Sequence, residues 1–396
     1  MKYNFDEIID RKDTFSEKYS ELERLYGTSE VIPLWVADMD FKVAQPIIDA
    51  IKERTQKGIF GYTVRPDYYY DEVCKFQKKR KNWDIDKTLM SFSLGVVPSI
   101  SMIIKELTDP GDKVIIQSPV YRPFFNAVKE APRELLESPL KEADGSFYMD
   151  YEDIEKKAIQ GAKYIILCSP HNPIGRVWSF DELKRLGDIC LKYGMKVISD
   201  EIHSDIILWG NKHIPFASIS EELRKITITC IAASKTFNLA GLQSSVVVFP
   251  DKSTKEEFDR AWAKLHIECN NCLSMEGTQA AFQYGEEWLE QLLRYVEGNV
   301  TLVMDYFKQF IPAIRPICPE GTYLVWLDCR QLGMKDADLN KFMVFKAGLA
   351  MSAGTYFGTK GEGFMRMNVA CPRAVLEKGL KQLKAAVDSL KKTEDQ

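Results

Sequence analysis

From about residue 90 the chain alternates short β-branched runs with helix-length amphipathic stretches. The apolar runs fall at Lys113–Ile116, Tyr164–Cys168, Lys196–Ser199, Ile226–Ile231 and Ser245–Phe249. Near-continuous Val and Ile predict strands buried on both faces, and helices between them predict parallel crossovers. One helix is marked at both ends. Ser179 and Glu182 form an S-x-x-E capping box, and Gly194 can close the helix in a left-handed conformation. A further helix is predicted over Tyr68–Trp83, its basic run Lys78–Lys81 lying on a solvated face. This part reads as a doubly wound α/β domain with a mostly parallel sheet.

After about residue 285 the rhythm changes. A long helical stretch (Glu286–Phe310) precedes two antiparallel-looking strands, Thr322–Asp328 and Phe364–Val369. The last helix carries Leu376, Leu380, Leu383, Val387 and Leu390 at three- and four-residue spacing, a core-facing stripe. At 396 residues the chain is too long for one core. We expect a large α/β domain over residues 46–284 and a smaller α+β domain made of residues 285–396 with residues 1–45 as an N-terminal arm.

Composition narrows the function classes. Lys plus Arg (53) nearly balances Asp plus Glu (57), with no single-sign tail, which argues against nucleic acid as a partner. No run approaches the roughly 18 apolar residues of a membrane helix, and Met1–Phe15 has no secretory core, so no membrane partner is expected. Nine scattered cysteines suit free thiols in a reducing cytosol, and a cytoplasmic enzyme is the expectation. Four dispersed histidines and a lone Cys269-x-x-Cys272 pair predict no metal site.

Ligands of open parallel sheets bind beyond the carboxyl ends of the strands. Ser169-Pro170-His171-Asn172-Pro173, Asp200-Glu201-Ile202-His203 and Ser234-Lys235-Thr236 each follow a predicted strand. Ser93-Leu94-Gly95-Val96-Val97-Pro98 precedes a helix. That set meets the needs of pyridoxal phosphate: an amine for the aldehyde, a carboxylate for the pyridine nitrogen, and a helix N-terminus for the phosphate. Lys235 would be the amine and Asp200 the pyridinium partner. Asn172 would donate to the ring phenolate and Tyr121 cover the ring. Gly95 would let the backbone approach, with the Val96 and Val97 amides facing the phosphate. Read singly, each residue has a plainer role: Lys235 a solvated lysine, Asp200 a helix cap, Asn172 a turn residue, Gly95 a loop glycine. Their order on successive strand ends favours the cofactor. His203 would support Asp200 or line the ring pocket, and the glycines at 358, 361 and 363 read as a flexible connection ahead of Arg366.

These strings resemble the fold-type I pyridoxal-phosphate enzymes of the class I/II aminotransferase superfamily. Pro33–Phe41, Phe60-Gly61-Tyr62 and Phe237–Gln243 resemble, within it, the MalY/PatB-type cystathionine β-lyases. The resemblance implies a homodimer with active sites at the interface, Tyr62 reaching the neighbouring cofactor's phosphate. It implies that Arg366 grips the substrate α-carboxylate, and that Trp35, Ala37 and Asp38 line the substrate pocket. Read alone, Arg366 would be a structural ion pair. Many aminotransferases carry an arginine eight residues after the lysine, where Gln243 stands here, and some carry a hydroxyl residue three before the lysine, where Ala232 stands. Phosphate binding must then lean on the helix end, Ser234 and Tyr62. The implied reaction is β-elimination from L-cystathionine or cysteine S-conjugates, giving thiol, pyruvate and ammonia, with Lys235 as general base and Tyr121 and Asp200 assisting. An aminotransferase, or a cofactor-binding regulatory protein that docks a partner, are the alternatives.

Overall fold

A central sheet of seven strands organises the chain: β1 (Met90–Ser93), β2 (Lys113–Ile116), β3 (Glu134–Glu137), β4 (Ala162–Cys168), β5 (Lys196–Asp200), β6 (Thr227–Ile231) and β7 (Ser245–Val248). The structure is a computed structural model and describes residues 1–267 and 269–394. The spatial order is β1-β7-β6-β5-β4-β2-β3. Strand β7 runs antiparallel to both neighbours, and every other pairing is parallel. The protein is thus an α/β fold with a mixed, mostly parallel sheet, as the sequence pattern predicts.

Two strands carry no strong pattern. Met-Ser-Phe-Ser of β1 mixes hydroxyls with apolar residues, and Glu-Leu-Leu-Glu of β3 is an edge strand without a β-branched residue. The turn of direction at β7 also has a local cause. Between β6 and β7 lie only the one-turn helix Ala233–Thr236 and the 3₁₀ turn Ala240–Leu242, too little chain for a crossover helix. The helix Phe180–Tyr193 does carry its capping box, with Ser179 and Glu182 each accepting the other's backbone N–H, and it ends at Gly194 with φ +64°.

A second, antiparallel sheet joins β8 (Arg315–Ile317), β9 (Leu324–Asp328), β10 (Ser352–Ala353) and β11 (Phe364–Asn368) in the order β8-β9-β11-β10. The helices Glu286–Phe310 and Arg373–Glu394 pack with it, and Leu376, Leu380 and Leu383 are fully buried. The N-terminal arm lies along this part: Ile32–Pro33 pairs in parallel with Leu349–Ala350, and Leu34 O accepts the Asn368 N–H at 2.9 Å.

The register of the large sheet places the site. Cys168, Asp200 and Cys230 are neighbours in register across β4, β5 and β6. The segments that follow these strands therefore emerge side by side at one rim.

Candidate active site

A cleft at that rim is lined by Ala37, Gly95–Pro98, Tyr121, Asn172, Asp200, His203, Ser234 and Lys235. Asp200 is the last residue of β5 and 3% exposed, its Oδ1 accepting the Ile202 backbone N–H at 3.0 Å. Burial pushes its carboxyl up to about 7, the Lys235 charge offsetting only part of this. Such a group wants a cationic N–H to hold its charge. Lys235 lies in the one-turn helix after β6, and its Nζ donates to Ala37 O at 2.8 Å. Burial lowers its pKa, and the carboxylates of Asp38, Asp200 and Glu17 act against that.

Gly95 caps the helix Val96–Glu106 in extended backbone (φ 165°). A Cβ added there would meet only the Pro98 ring, at 3.4 Å, so the chain's own packing does not demand a glycine. The Val96 and Val97 amides belong to the first turn, which has no intrahelical acceptors, and Pro98 has no N–H to leave unpaired. Ser234 and Ser244 also line the cleft. Tyr121 stands edge-on to Phe124, and burial pushes its phenol up to about 12. A buried carboxyl, a lysine, an open helix end and a tyrosine face together fit pyridoxal phosphate.

Arg366 sits on β11, 5% exposed. Its Nη1 donates to Asn172 Oδ1 at 2.9 Å, and its Nη2 to Trp35 O at 2.6 Å and Ser352 Oγ at 3.2 Å. Among the described residues its Nε has no partner and no carboxylate pairs with it. Burial pulls its pKa down to about 10, and Phe357 lies 4.9 Å from the guanidinium. The structural ion pair that Arg366 alone would suggest is absent. A guanidinium left unneutralised at this depth retains donors that a carboxylate could take up.

Other expectations need correction. Asp38 does not line the cleft: its carboxylate is bound by Arg11 at 2.7 Å and lies 3.6 Å from Lys18. Trp35 meets Arg366 through its carbonyl, while its indole N–H is spent on Lys18 O at 3.1 Å. Ala37 does line the cleft. His203 gives no hydrogen bond to Asp200. It forms cleft wall, edge-on to Tyr323 at 6.0 Å, with Nδ1 unpartnered and its pKa pulled down to about 3 by burial. The glycine-rich segment is no loose connection. Gly358 adopts φ +112°, and an added Cβ would sit 3.0 Å from the Ser118 side chain. Tyr62 is 99% exposed and stands outside this cleft.

Sequence reasoning missed Tyr323, whose hydroxyl donates to Ala37 O at 2.9 Å, the same carbonyl that Lys235 holds. It also missed Ser352 and Phe357 beside Arg366, and Cys168, whose Sγ accepts the Asn172 N–H at 3.4 Å. None stands in a recognisable string; only the aromatic-rich run Thr322–Trp326 hinted at Tyr323.

A sheet of this order, with a lysine, an aspartate and an open helix end at one edge, defines a fold-type I pyridoxal-phosphate enzyme. The chain belongs to the aminotransferase class I and II family, whose sequence profile it matches over residues 29–383. It is 40% identical to cystathionine β-lyase PatB of Bacillus subtilis (strain 168), over 97% of this chain and 100% of that one. A pyridoxal-phosphate-bound chain from Clostridium difficile 630, provisionally described as an aminotransferase, is 50% identical with a TM-score of 0.96 over 98% of this chain and 100% of that one. Cystalysin from Treponema denticola, which contains pyridoxal 5′-phosphate, is 37% identical with a TM-score of 0.95 over the same shares.

Proposed function

We propose that the chain is a carbon–sulfur β-lyase that releases thiol, pyruvate and ammonia from L-cystathionine or cysteine S-conjugates, using pyridoxal phosphate. The observation that carries the amino-acid reading is the buried Arg366 guanidinium without an acid partner, tied to the cleft through Asn172. The likeness to PatB, a cystathionine β-lyase, supports sulfur substrates. Gln243 on the cleft, in place of the aminotransferase arginine, supports the lyase over the transferase.

Bound in the cleft, the cofactor supplies an electron sink for charge released at the substrate α-carbon. Asp200 holds a proton at the ring nitrogen, an arrangement its raised carboxyl pKa makes favourable, because a paired cation relieves the cost of its burial. Asn172, its oxygen fixed by Arg366, turns its amide N–H groups to the ring phenolate. The Val96 and Val97 amides and Ser234 receive the phosphate. Arg366 anchors the α-carboxylate. Lys235, anchored at the Ala37 carbonyl when free, takes the α-proton as general base. A thiolate then leaves readily, because thiol pKa values lie near 8.5.

We infer a homodimer, in which Tyr62 of one subunit reaches the other's phosphate site. Ile59, Phe60, Tyr62 and Val64 are all exposed on one segment, which favours a covering partner.

The test is purified, cofactor-loaded protein with L-cystathionine. Thiol and pyruvate formed without any added keto acid support the lyase. Amino-group transfer that requires a keto acid, without thiol release, assigns an aminotransferase instead. Neither reaction, with cofactor bound, points to the regulatory alternative.

A further inference from the structure

His171 is wholly buried, yet no step of the proposed chemistry uses it. It stands between two groups of the cleft that belong to different loops. Asn172 is the next residue, and Tyr121 lies on the segment after β2. Strands β2 and β4 pair in register only as far as Ile116 and Ile166. Beyond them His171 bridges the two segments, its Nε2 2.9 Å from the carbonyl oxygen of Pro119, two residues before Tyr121.

The direction of this bond follows from its chemistry. Burial pulls the imidazole pKa down to about 4, so near pH 7 the ring is neutral and carries a single N–H. A carbonyl only accepts, so that N–H is on Nε2 and donates to Pro119. Nδ1 is then a lone pair, without a partner among the described residues. The ring has little freedom to turn. It meets Trp178 edge-on with centroids 5.6 Å apart, and the Trp178 indole N–H donates to Cys168 O at 2.9 Å. The backbone is held as well: His171 N–H donates to Arg176 O at 2.9 Å, and Gly175 N–H to His171 O at 2.8 Å. Across the bond, Val120 N–H donates to Phe357 O at 2.9 Å, so the segment leading to Tyr121 is held at two successive residues.

We propose that His171 is a positioning residue for the cofactor, its Nε2–H setting the spacing between the Tyr121 and Asn172 loops and so the slot that receives the ring. The proposal rests on the cofactor reading and deepens it. A residue that merely fills the core would need only the volume of the ring, whereas a positioning residue needs the donor, because groups that face a ligand lose their effect when displaced. Phenylalanine supplies the volume without the donor. Glutamine supplies an amide N–H near the place of Nε2.

The experiment compares His171→Phe and His171→Gln with the wild type, and adds His171→Phe to a Tyr121→Ala background. Titrating each cofactor-free protein with pyridoxal phosphate gives the dissociation constant and the absorption band of the bound cofactor, beside a melting curve. For His171→Phe we expect a dissociation constant about tenfold higher and a shifted band, the loss of one buried hydrogen bond. His171→Gln should stay within about threefold of the wild type, with its band unmoved. In the Tyr121→Ala background the further rise should shrink to about threefold or less, since one of the two positioned groups is already gone. Should His171→Phe fail to fold, His171→Asn, whose amide stops short of Pro119, takes its place. Wild-type binding by His171→Phe, an equal loss in His171→Gln, or the same fold-loss with and without Tyr121 overturns the positioning role and leaves the cofactor reading standing. Failure of the wild type to bind pyridoxal phosphate overturns the cofactor reading, and the positioning role with it.

Discussion

Arg366 Nη1 donates to Asn172 Oδ1 across 2.9 Å, so one hydrogen bond ties the antiparallel sheet to the loop after β4. It fixes which end of the amide faces the cleft, and it leaves the arginine's charge unspent. Replacing Asn172 by Asp would put a carboxylate against that charge. We expect Asn172→Asp to raise KM for any amino-acid substrate by about tenfold or more, because the substrate carboxylate then competes with a resident acid. Its thermal unfolding should occur no lower than that of the wild type, since a buried cation gains a partner. Steady-state kinetics beside a melting curve check both halves.

Asp200 gives the cofactor-free protein a pH dependence of definite sign. Its folded pKa of about 7 lies above the ordinary 3.8. Between those values the folded chain binds more protons than the unfolded one. Asp200 therefore costs stability progressively as pH rises through that window, and the cost is complete above about pH 7. Asp200→Asn should stabilise the cofactor-free chain by a few kcal/mol at pH 8 and by little at pH 4. Urea unfolding at the two pH values measures the difference. The same variant should lose nearly all activity once cofactor is added.

Lys18 is fully buried, its Nζ 2.6 Å from Asp40, whose other oxygen accepts from Arg11 at 2.6 Å. This cluster anchors the Trp35–Asp38 segment, whose carbonyls hold Arg366 and Lys235. Lys18→Met would leave two aspartates sharing one arginine. The expected loss is about 3–5 kcal/mol in denaturant unfolding. KM should rise alongside it, as the segment loosens its hold on Arg366.

Tyr62 tests the proposed partner. Its side chain makes no contact that the single chain needs, so Tyr62→Ala should leave the far-UV spectrum and the melting curve unchanged. Light scattering should still report a dimer, while the dissociation constant for added pyridoxal phosphate rises several-fold. An unchanged dissociation constant removes Tyr62 from the phosphate site.

The strand ends were legible because each pairs a buried β-branched run with a polar tail, and parallel pairing brings those tails to one rim. Lys235, Asp200 and Asn172 follow from that alone. Tyr323, Ser352 and Phe357 did not, because they reach the cleft from the second sheet, whose placement depends on packing across the molecule. Asp38 misled for the opposite reason. It stands in the right string beside Ala37, but its side chain turns away to Arg11. The antiparallel course of β7 was hidden as well, since apolar periodicity marks a strand without giving its direction.

The central claim is that Lys235 and Asp200 hold the ring and aldehyde of one cofactor. The direct measurement is to incubate the purified protein with pyridoxal phosphate, reduce with borohydride, digest, and weigh the peptides. The account predicts a single cofactor-sized mass increment on the peptide containing Lys235, absent from Lys235→Ala. An increment confined to another lysine, or none in a protein that is otherwise folded, would contradict it.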